Sequence, residues 1–470
     1  MRRRPLLLAS FLALVLVVSF PACNRGEAVD RDPVEAEAEE LFVAYLRIDT
    51  SNPPGNETEA ARFFQKIFER EGIPSRLVGA DPRRQSIYAR LESGSDAPAL
   101  LLLHHLDVVP ADPSEWSVPP FEGRRANGYI WGRGALDVKS LGIAQLMGFL
   151  ELHRARAALA RDVVFLGVAD EEAGGTAGIQ ALFRDHPELF EGVGFVLNEG
   201  GGTETIVDRV TWWGIEIDQK VPVWVRLVAK GRPGHGSIPP PGGGAPRKLV
   251  AALERVFAIP TPMRLTPTVR AHFASFARAK AELDIRRAIL RDPEAYFDSP
   301  RIEQLPAGAR ALLQDTISLT VLDAGTSVNS IPASARAELD VRLLPGSDPS
   351  PFLDALREAA GEDVGVEVLI AGKPAPPSPV DTPLFRLIAE LAKASDPGSI
   401  VGPYVSAGTT DSRFLRGRGM VAYGFNPFPV NYYDGARVHG VDERIRVRFF
   451  ARGVNLMRQI VRRAATAPEL

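Results

Sequence analysis

Apolar residues recur along the chain with two spacings, one typical of amphipathic helices and one of buried strands. A period of three to four residues predicts helices at 35–47, 58–71, 138–154 and 177–184. Short, mostly apolar runs predict strands at 86–91, 99–103, 163–169 and 194–197. Because strands and helices alternate, this part of the chain predicts an α/β domain with a mainly parallel sheet flanked by helices.

The pattern changes near residue 215. Residues 216–346 combine predicted strands, one clear helix at 246–257 and an irregular helical stretch at 264–314, which is typical of an α+β insertion. The α/β pattern then resumes and runs to a predicted final helix at 443–463. We therefore predict one domain in two sequence halves, 34–215 and 347–470, with a smaller inserted domain between them.

The composition is that of an ordinary globular protein and excludes one class of partner. The 470 residues are 45% hydrophobic and 24% charged, with a net charge of −3. Beyond the extreme N-terminus the chain has no long basic stretch. Nucleic acid is therefore not an expected partner.

The N-terminus resembles an export signal. A basic start is followed by a short apolar stretch at 6–18 and then by Cys23, the only cysteine in the chain. This arrangement resembles a bacterial lipobox, in which the cysteine is lipidated and becomes the mature N-terminus. We predict a signal peptide at 1–23, a lipid-anchored Cys23 and a polar tether at 24–33, hence an exported lipoprotein of the cell envelope. Plain secretion and an uncleaved anchor are the alternatives.

Candidate metal ligands follow three of the predicted buried strands. In open α/β sheets, ligands collect at the carboxyl ends of the strands, and histidine and carboxylate are the ligands that zinc takes when cysteine is missing. A glycine-rich turn and a C-terminal segment add one candidate each. The candidate groups are His104-His105-Leu106-Asp107, Asp170-Glu171-Glu172, Asn198-Glu199, Asp137 and His439.

Each group has an ordinary structural interpretation when taken alone. A histidine at a strand end is usually a capping or core residue, and an aspartate after glycines is usually a turn residue. No single group could hold a metal ion. Five groups at element ends or turns favour convergence on one site.

Three further stretches carry a resemblance to a known family: residues 115–121 (EWSVPPF), 132–134 (GRG) and 408–414 (GTTDSRF). Together with the candidate ligands they resemble the aminoacylase-1 and carboxypeptidase S family of di-zinc metallopeptidases. The likeness covers roughly residues 35–465 and is closest to the branch of carboxypeptidase S and the secreted N-acyl-amino-acid hydrolases. It implies a di-zinc exopeptidase-like catalytic domain with an inserted lid or dimerisation domain.

The resemblance implies two Zn²⁺ ions, which Co²⁺ or Mn²⁺ could replace. Asp107 would orient the imidazole of His105. Asn198 stands where relatives carry an aspartate, and the neighbouring glutamate is expected to be the ligand. The implied metal ligands are His105, Asp137 as the bridge, Glu172, Glu199 and His439.

The resemblance also implies the remaining roles. Glu171 would be the general base, and His235 would donate a hydrogen bond to the oxyanion, although Gly236 departs from the family's serine. Asn329 and Arg342 would hold the free carboxylate of the substrate, and the backbone of Gly408 would line the site.

The expected reaction is hydrolysis of an amide bond next to a free carboxylate, in N-acyl amino acids or small peptides. The alternative within the same chemistry is a carboxypeptidase or dipeptidase. A rival of another class is an inactive, lipid-anchored binding protein. The resemblance further suggests long or apolar acyl chains and a homodimer formed through the inserted domain.

Overall fold

The computed structural model of the chain describes residues 32–280 and 283–470. The predicted signal peptide, Cys23 and most of the tether lie outside the described residues. In the part of the chain that is described, none of the helices combines the length and apolar character that crossing a membrane requires.

The helices and strands alternate in the first half of the chain, as predicted. The helices are α1 (Pro33–Leu46), α2 (Glu57–Glu71), α3 (Lys139–Arg154), α4 (Ile179–Asp185), α5 (Gly244–Phe257), α6 (Pro267–Arg278), α7 (Asp284–Arg291), α8 (Pro293–Phe297), α9 (Ala307–Ala311), α10 (Pro349–Ala360), α11 (Pro383–Ser395), α12 (Ser412–Arg416), α13 (Tyr432–Gly435) and α14 (Val447–Thr466). The strands are β1 (Ser75–Val78), β2 (Ser86–Leu91), β3 (Ala99–His105), β4 (Arg124–Ala126), β5 (Tyr129–Trp131), β6 (Val163–Val168), β7 (Val193–Asn198), β8 (Gly202–Ile206), β9 (Arg209–Gln219), β10 (Val221–Lys230), β11 (Gly234–His235), β12 (Thr316–Asp323), β13 (Ser330–Ile331), β14 (Ser334–Leu343), β15 (Val364–Ala371), β16 (Ile400–Ser406), β17 (Val421–Gly424) and β18 (Arg444–Arg446).

The catalytic domain is built on one large mixed sheet. Among the described residues its strands run in the order β1-β2-β6-β3-β7-β17-β9-β16, with β8 added beside β9. The central strands β6, β3, β7 and β17 are parallel to one another. β3 and β6 are buried along their whole length, as their continuous apolar runs predict. The expected α/β fold with a mainly parallel central sheet is therefore confirmed.

The inserted domain has an antiparallel sheet of its own, in the order β12-β14-β10-β15. Helices α5 and α10 contribute to one apolar core with the sheet, including Leu249, Leu253 and Leu356. This core assigns α10 and β15 to the inserted domain, whereas the predicted boundary at residue 346 left them in the catalytic half. The boundary near 215 also moves, because β9 continues in the large sheet to Gln219.

The helical stretch 264–314, hereafter the helical module, also packs differently from the prediction. We expected it within the inserted domain. Its own core includes Val405 of β16, and Trp212 of β9 donates a hydrogen bond to Ser275 Oγ over 3.2 Å. Thr268 Oγ1 also bonds to Asp218 Oδ2 at 2.8 Å. Apolar packing and hydrogen bonds therefore attach the module to the edge of the large sheet.

Candidate metal centre and active site

Parallel strands bring three of the candidate groups to one edge of the sheet. β3 ends at His105, which lies opposite Val168, the last residue of β6. β7 ends at Asn198, one residue before Glu199. Because all three strands end at the same edge, the side chains that follow them converge there.

The five predicted metal ligands form two groups that share Asp137. His105 and Glu199 complete one group, and Glu172 and His439 complete the other. Asp137 Oδ1 lies 3.0 Å from His105 Nε2, and Asp137 Oδ2 lies 3.1 Å from His439 Nε2. The two oxygens of one carboxylate therefore face different histidines, as a bridging ligand requires. We call these five residues the metal cluster.

The residues of the metal cluster fit two divalent cations. Within each group the potential ligand atoms lie within 4.8 Å of one another, and imidazole with carboxylate is a set of donors that suits zinc. Glu172 Oε1 is buried and has no hydrogen-bond partner among the described residues. Three carboxylates of the cluster and the adjacent Glu171 outweigh two imidazoles, so bound cations would compensate the crowded negative charge.

The crowding changes the acidity of several groups. Burial, with the negative charges around it, raises the pKa of Glu172 to about 7. Burial and then the charge of Glu199 raise the pKa of Glu171 well above its ordinary value. Hydrogen bonds to Asp137 and then Glu172 raise the pKa of His439 to about 10. The raised pKa values of two carboxyls and one imidazole show that this site favours binding of protons or cations.

The turn that carries Asp137 is held by Glu443. This fully buried carboxylate accepts hydrogen bonds from the backbone nitrogens of Leu136 at 2.7 Å and Asp137 at 3.1 Å. It also pairs with Arg133 over 2.7 Å. The predicted final helix began at residue 443, but α14 starts at Val447 because Arg444–Arg446 form β18, which pairs with β5.

Asp107 holds the loop that carries the two glutamates. Its carboxylate accepts from the backbone nitrogens of Glu171 at 3.1 Å and Glu172 at 3.0 Å, and from Asn52 Nδ2 at 2.8 Å. The nearest partner of His105 Nδ1 is the carbonyl oxygen of Asp107 at 2.8 Å, whereas its carboxylate Oδ1 lies at 3.6 Å. Asp107 therefore orients the imidazole through its backbone as well as its side chain, leaving Nε2 toward Asp137.

Asp170, the carboxylate before the two glutamates, has a structural task. It adopts a φ of 71°, in the left-handed region, and accepts from the backbone nitrogen of Ala177 at 2.6 Å. Arg84 pairs with it at 2.7 Å, and Asn52 joins it to Asp107. The three adjacent acids thus divide into one turn residue, the candidate base Glu171 and one member of the metal cluster.

Asn198 lies outside the metal cluster. Its side chain is buried and donates to Ser412 Oγ over 3.0 Å. Glu199 Oε2 lies 3.6 Å from His105 Nε2. The asparagine in place of the usual aspartate therefore leaves the geometry of the cluster intact.

Of the three predicted residues in the inserted domain, two lie on its surface and one contacts the catalytic domain. His235 and Asn329 are exposed and lie together where β11 pairs with β13. The side chain of His235 bonds to Ser237, at 2.8 Å from Nδ1 to Oγ. Within the described ranges no bond joins His235 to the metal cluster, so the structure does not bring this candidate to the metal centre.

Arg342 reaches the catalytic domain. Its Nη1 donates to Thr409 Oγ1 at 2.9 Å, next to Gly408. Asp340 accepts from Nε at 2.6 Å and from Nη2 at 3.0 Å. A guanidinium has five N–H groups, so among the described residues these three bonds leave one N–H group on each Nη nitrogen. That pair of donors matches the two oxygens of a carboxylate.

Several residues that support the site were not predicted from the sequence. For Glu443 a signal existed, since it follows closely on His439 in the chain. Asn52 had none, because the loop that carries it lies more than fifty residues from its partners. Arg413 lies in the 408–414 stretch but was assigned no role; it is buried and joins Thr410 O to Gly174 O over 3.1 and 3.4 Å.

Comparison with known proteins agrees with this geometry. Residues 101–463 match the model of peptidase family M20/M25/M40. The chain is 30% identical to the N-fatty-acyl-amino acid synthase/hydrolase PM20D1 of Xenopus tropicalis, covering 90% of this chain and 85% of that protein. It is 28% identical to aminoacylase-1 of Homo sapiens, covering 92% and 96%.

Among solved structures, the M20 family metallo-carboxypeptidase Sso-CP2 from Sulfolobus solfataricus shares the fold. The TM-score is 0.70 at 20% sequence identity, covering 91% of this chain and 98% of that one. The family match spans most of the chain, and the metal cluster supplies ligands for two metal ions. The chain thus belongs to peptidase family M20/M25/M40 and is a zinc-dependent hydrolase.

Proposed function

We propose that the protein hydrolyses the amide bond of N-acyl amino acids, next to a free carboxylate, with two zinc ions and Glu171 as general base. The observation that carries the proposal is the metal cluster, with Asp137 shared between two groups and the buried Glu171 beside it. The relatives named above as an N-fatty-acyl-amino acid synthase/hydrolase and an aminoacylase support this reaction.

In this proposal His105, Asp137 and Glu199 would hold one zinc ion, and Asp137, Glu172 and His439 the other. The two ions would acidify a water molecule and polarise the scissile carbonyl. Glu171 takes a proton from the water and transfers it to the leaving amine. Asp107 keeps Glu171 in place because its carboxylate accepts a hydrogen bond from the backbone nitrogen of Glu171.

The inserted domain contributes recognition. The two N–H groups that remain on Arg342 bind the substrate carboxylate, and the backbone of Gly408 lines the site. Asn329 lies with His235 at the β11–β13 pair, at the opposite end of β14 from Arg342, so it joins the carboxylate from a second copy of the chain. His235 donates to the oxyanion in the transition state, which requires the inserted domain to approach the metal cluster, or a second copy of the chain to supply the histidine. A homodimer through the inserted domain is part of this proposal.

The second candidate is a carboxypeptidase or dipeptidase, favoured by the fold shared with the metallo-carboxypeptidase. Purified, zinc-loaded protein should be assayed against an N-acetyl amino acid, an N-oleoyl amino acid and a dipeptide. We expect turnover of the N-acyl substrates, with preference for the long chain. Faster turnover of the dipeptide would favour the second candidate, and inactivity on all three would contradict both.

We also propose that the protein is exported and anchored through a lipid on Cys23. The support is the sequence of residues 1–23 alone. Growth of cells with labelled palmitate should mark the wild-type protein and leave a Cys23→Ser variant unmarked. An unlabelled wild type would contradict the anchor and leave the proposed reaction unaffected.

A further inference from the structure

Two buried polar residues, Gln219 and Lys220, occupy the crossing from the large sheet to the inserted domain. Gln219 ends β9, and Val221 begins β10. The backbone nitrogen of Lys220 donates to Ser406 O at the end of β16, over 3.1 Å. We call this pair the hinge dipeptide, because the chain leaves the catalytic domain at this point.

The ammonium of Lys220 is bound where the helical module runs into β12, the edge strand of the inserted domain. Its Nζ donates to Ala311 O and Gln314 O at 2.9 Å each, and to Thr316 Oγ1 at 3.1 Å. An ammonium has three N–H donors, so these acceptors use all of them. Thr316 begins β12 and pairs in register with Arg342 of β14. Lys220 therefore fixes Thr316, the residue of β12 that lies opposite Arg342.

The side chain of Gln219 is bound on the side of the catalytic domain. Its Nε2 donates to Thr410 O at 3.0 Å, and its Oε1 accepts from Thr410 Oγ1 at 3.0 Å and from Thr410 N at 3.3 Å. Thr409, the preceding residue, is the one that accepts from Arg342. By binding Thr410, Gln219 therefore fixes the position of Thr409, the partner of Arg342.

The consequence is that adjacent residues anchor both sides of the contact between Arg342 and Thr409. We propose that the hinge dipeptide is a positioning device that aims the free N–H pair of Arg342 at the carboxylate of the substrate. This inference rests on the carboxylate-binding role of Arg342 in the proposed function. The helical module takes part, since Ala311 and Gln314 belong to its last turns and its core is anchored on the catalytic sheet.

The test compares an N-acyl amino acid with the corresponding N-acyl amino acid amide, which lacks the carboxylate. Lys220→Met removes the three donors and keeps the apolar stem. We expect it to raise KM for the carboxylate substrate roughly tenfold, because small errors in position weaken an oriented contact. Turnover of the amide should stay unchanged. The control is Lys373→Met, at an exposed lysine that lines a small cavity together with Gln219 and Lys220. Both substrates should behave as with the wild type.

If K220M unfolds below the assay temperature, Thr316→Val removes one of the three acceptors and should shift KM in the same direction by a smaller factor. Equal losses on both substrates, or an unchanged KM for the carboxylate substrate, would overturn the positioning role. A wild type without preference for the carboxylate over the amide would instead overturn the role of Arg342, and the positioning role with it. Discrimination by wild type that K220M keeps in full would refute the hinge dipeptide alone.

Discussion

The two halves of the candidate site differ in how firmly the chain builds them. In the catalytic domain, His105 is buried at a strand end and Asp137 sits in a turn held by Glu443. In the inserted domain, His235 and Asn329 are exposed where β11 pairs with β13, and their side chains bond to Ser237 and Ser327 beside them. The difference teaches that metal binding is a property of the catalytic sheet, whereas oxyanion binding depends on how the inserted domain is placed.

Removal of the metals should have the largest effect on activity, and it should loosen the catalytic domain only. Chelation should abolish hydrolysis and leave several buried carboxylates without compensating charge. Hydrogen exchange should then speed up in residues 104–108, 134–138 and 170–175. The β10–β14 pairing of the inserted domain should keep its protection. Equal loss of protection in both domains would show that the two halves are not independent.

Substitution of the base tests the catalytic half without touching a predicted ligand. Glu171→Gln should lower kcat by about 10³- to 10⁴-fold, the upper part of the contribution of general acid–base catalysis, because an amide cannot take up the proton that a carboxylate accepts. Metal content, measured by mass spectrometry, should stay at the wild-type level. Glu188→Gln, at an exposed carboxylate, is the control and should change neither quantity. Retained turnover in E171Q would remove Glu171 from its role.

The inserted half is tested at His235. His235→Asn should lower kcat by about 10²- to 10³-fold, the usual effect of losing an oxyanion donor, with metal content unchanged. Ser237→Ala removes only the neighbouring hydroxyl and should cost less than about tenfold. A drop in metal content in H235N would show that the inserted domain also contributes to metal binding.

The smallest expected effect concerns the support of the metal cluster. Asp107→Asn keeps the size of the side chain but weakens the acceptor for the backbone of Glu171 and Glu172. We expect zinc affinity and kcat to fall by about 10- to 100-fold, as for other outer partners of metal ligands. The control is Asp112→Asn, an exposed turn residue. Wild-type zinc affinity in D107N would show that the loop needs no such support.

The elements that could be predicted are those with strong periodicity. β2 and β6 lie where the apolar runs placed them, and α2 begins and ends within one residue of the prediction. The domain boundaries differed because a boundary is set by packing: β15 is a half-exposed strand whose sequence does not say which sheet it joins. The helical module was assigned to the wrong domain for the same reason.

By itself, the sequence determined the strand-end chemistry. Local spacing puts histidines and carboxylates directly after buried strands, and parallel strands must deliver such groups to one edge. Only the tertiary structure decided which residues support them. Asn52, Glu443 and the hinge dipeptide act through contacts between residues far apart in the chain, and no periodicity encodes such pairings. The same holds for His235, whose distance from the metal cluster depends on the arrangement of two domains rather than on any local pattern.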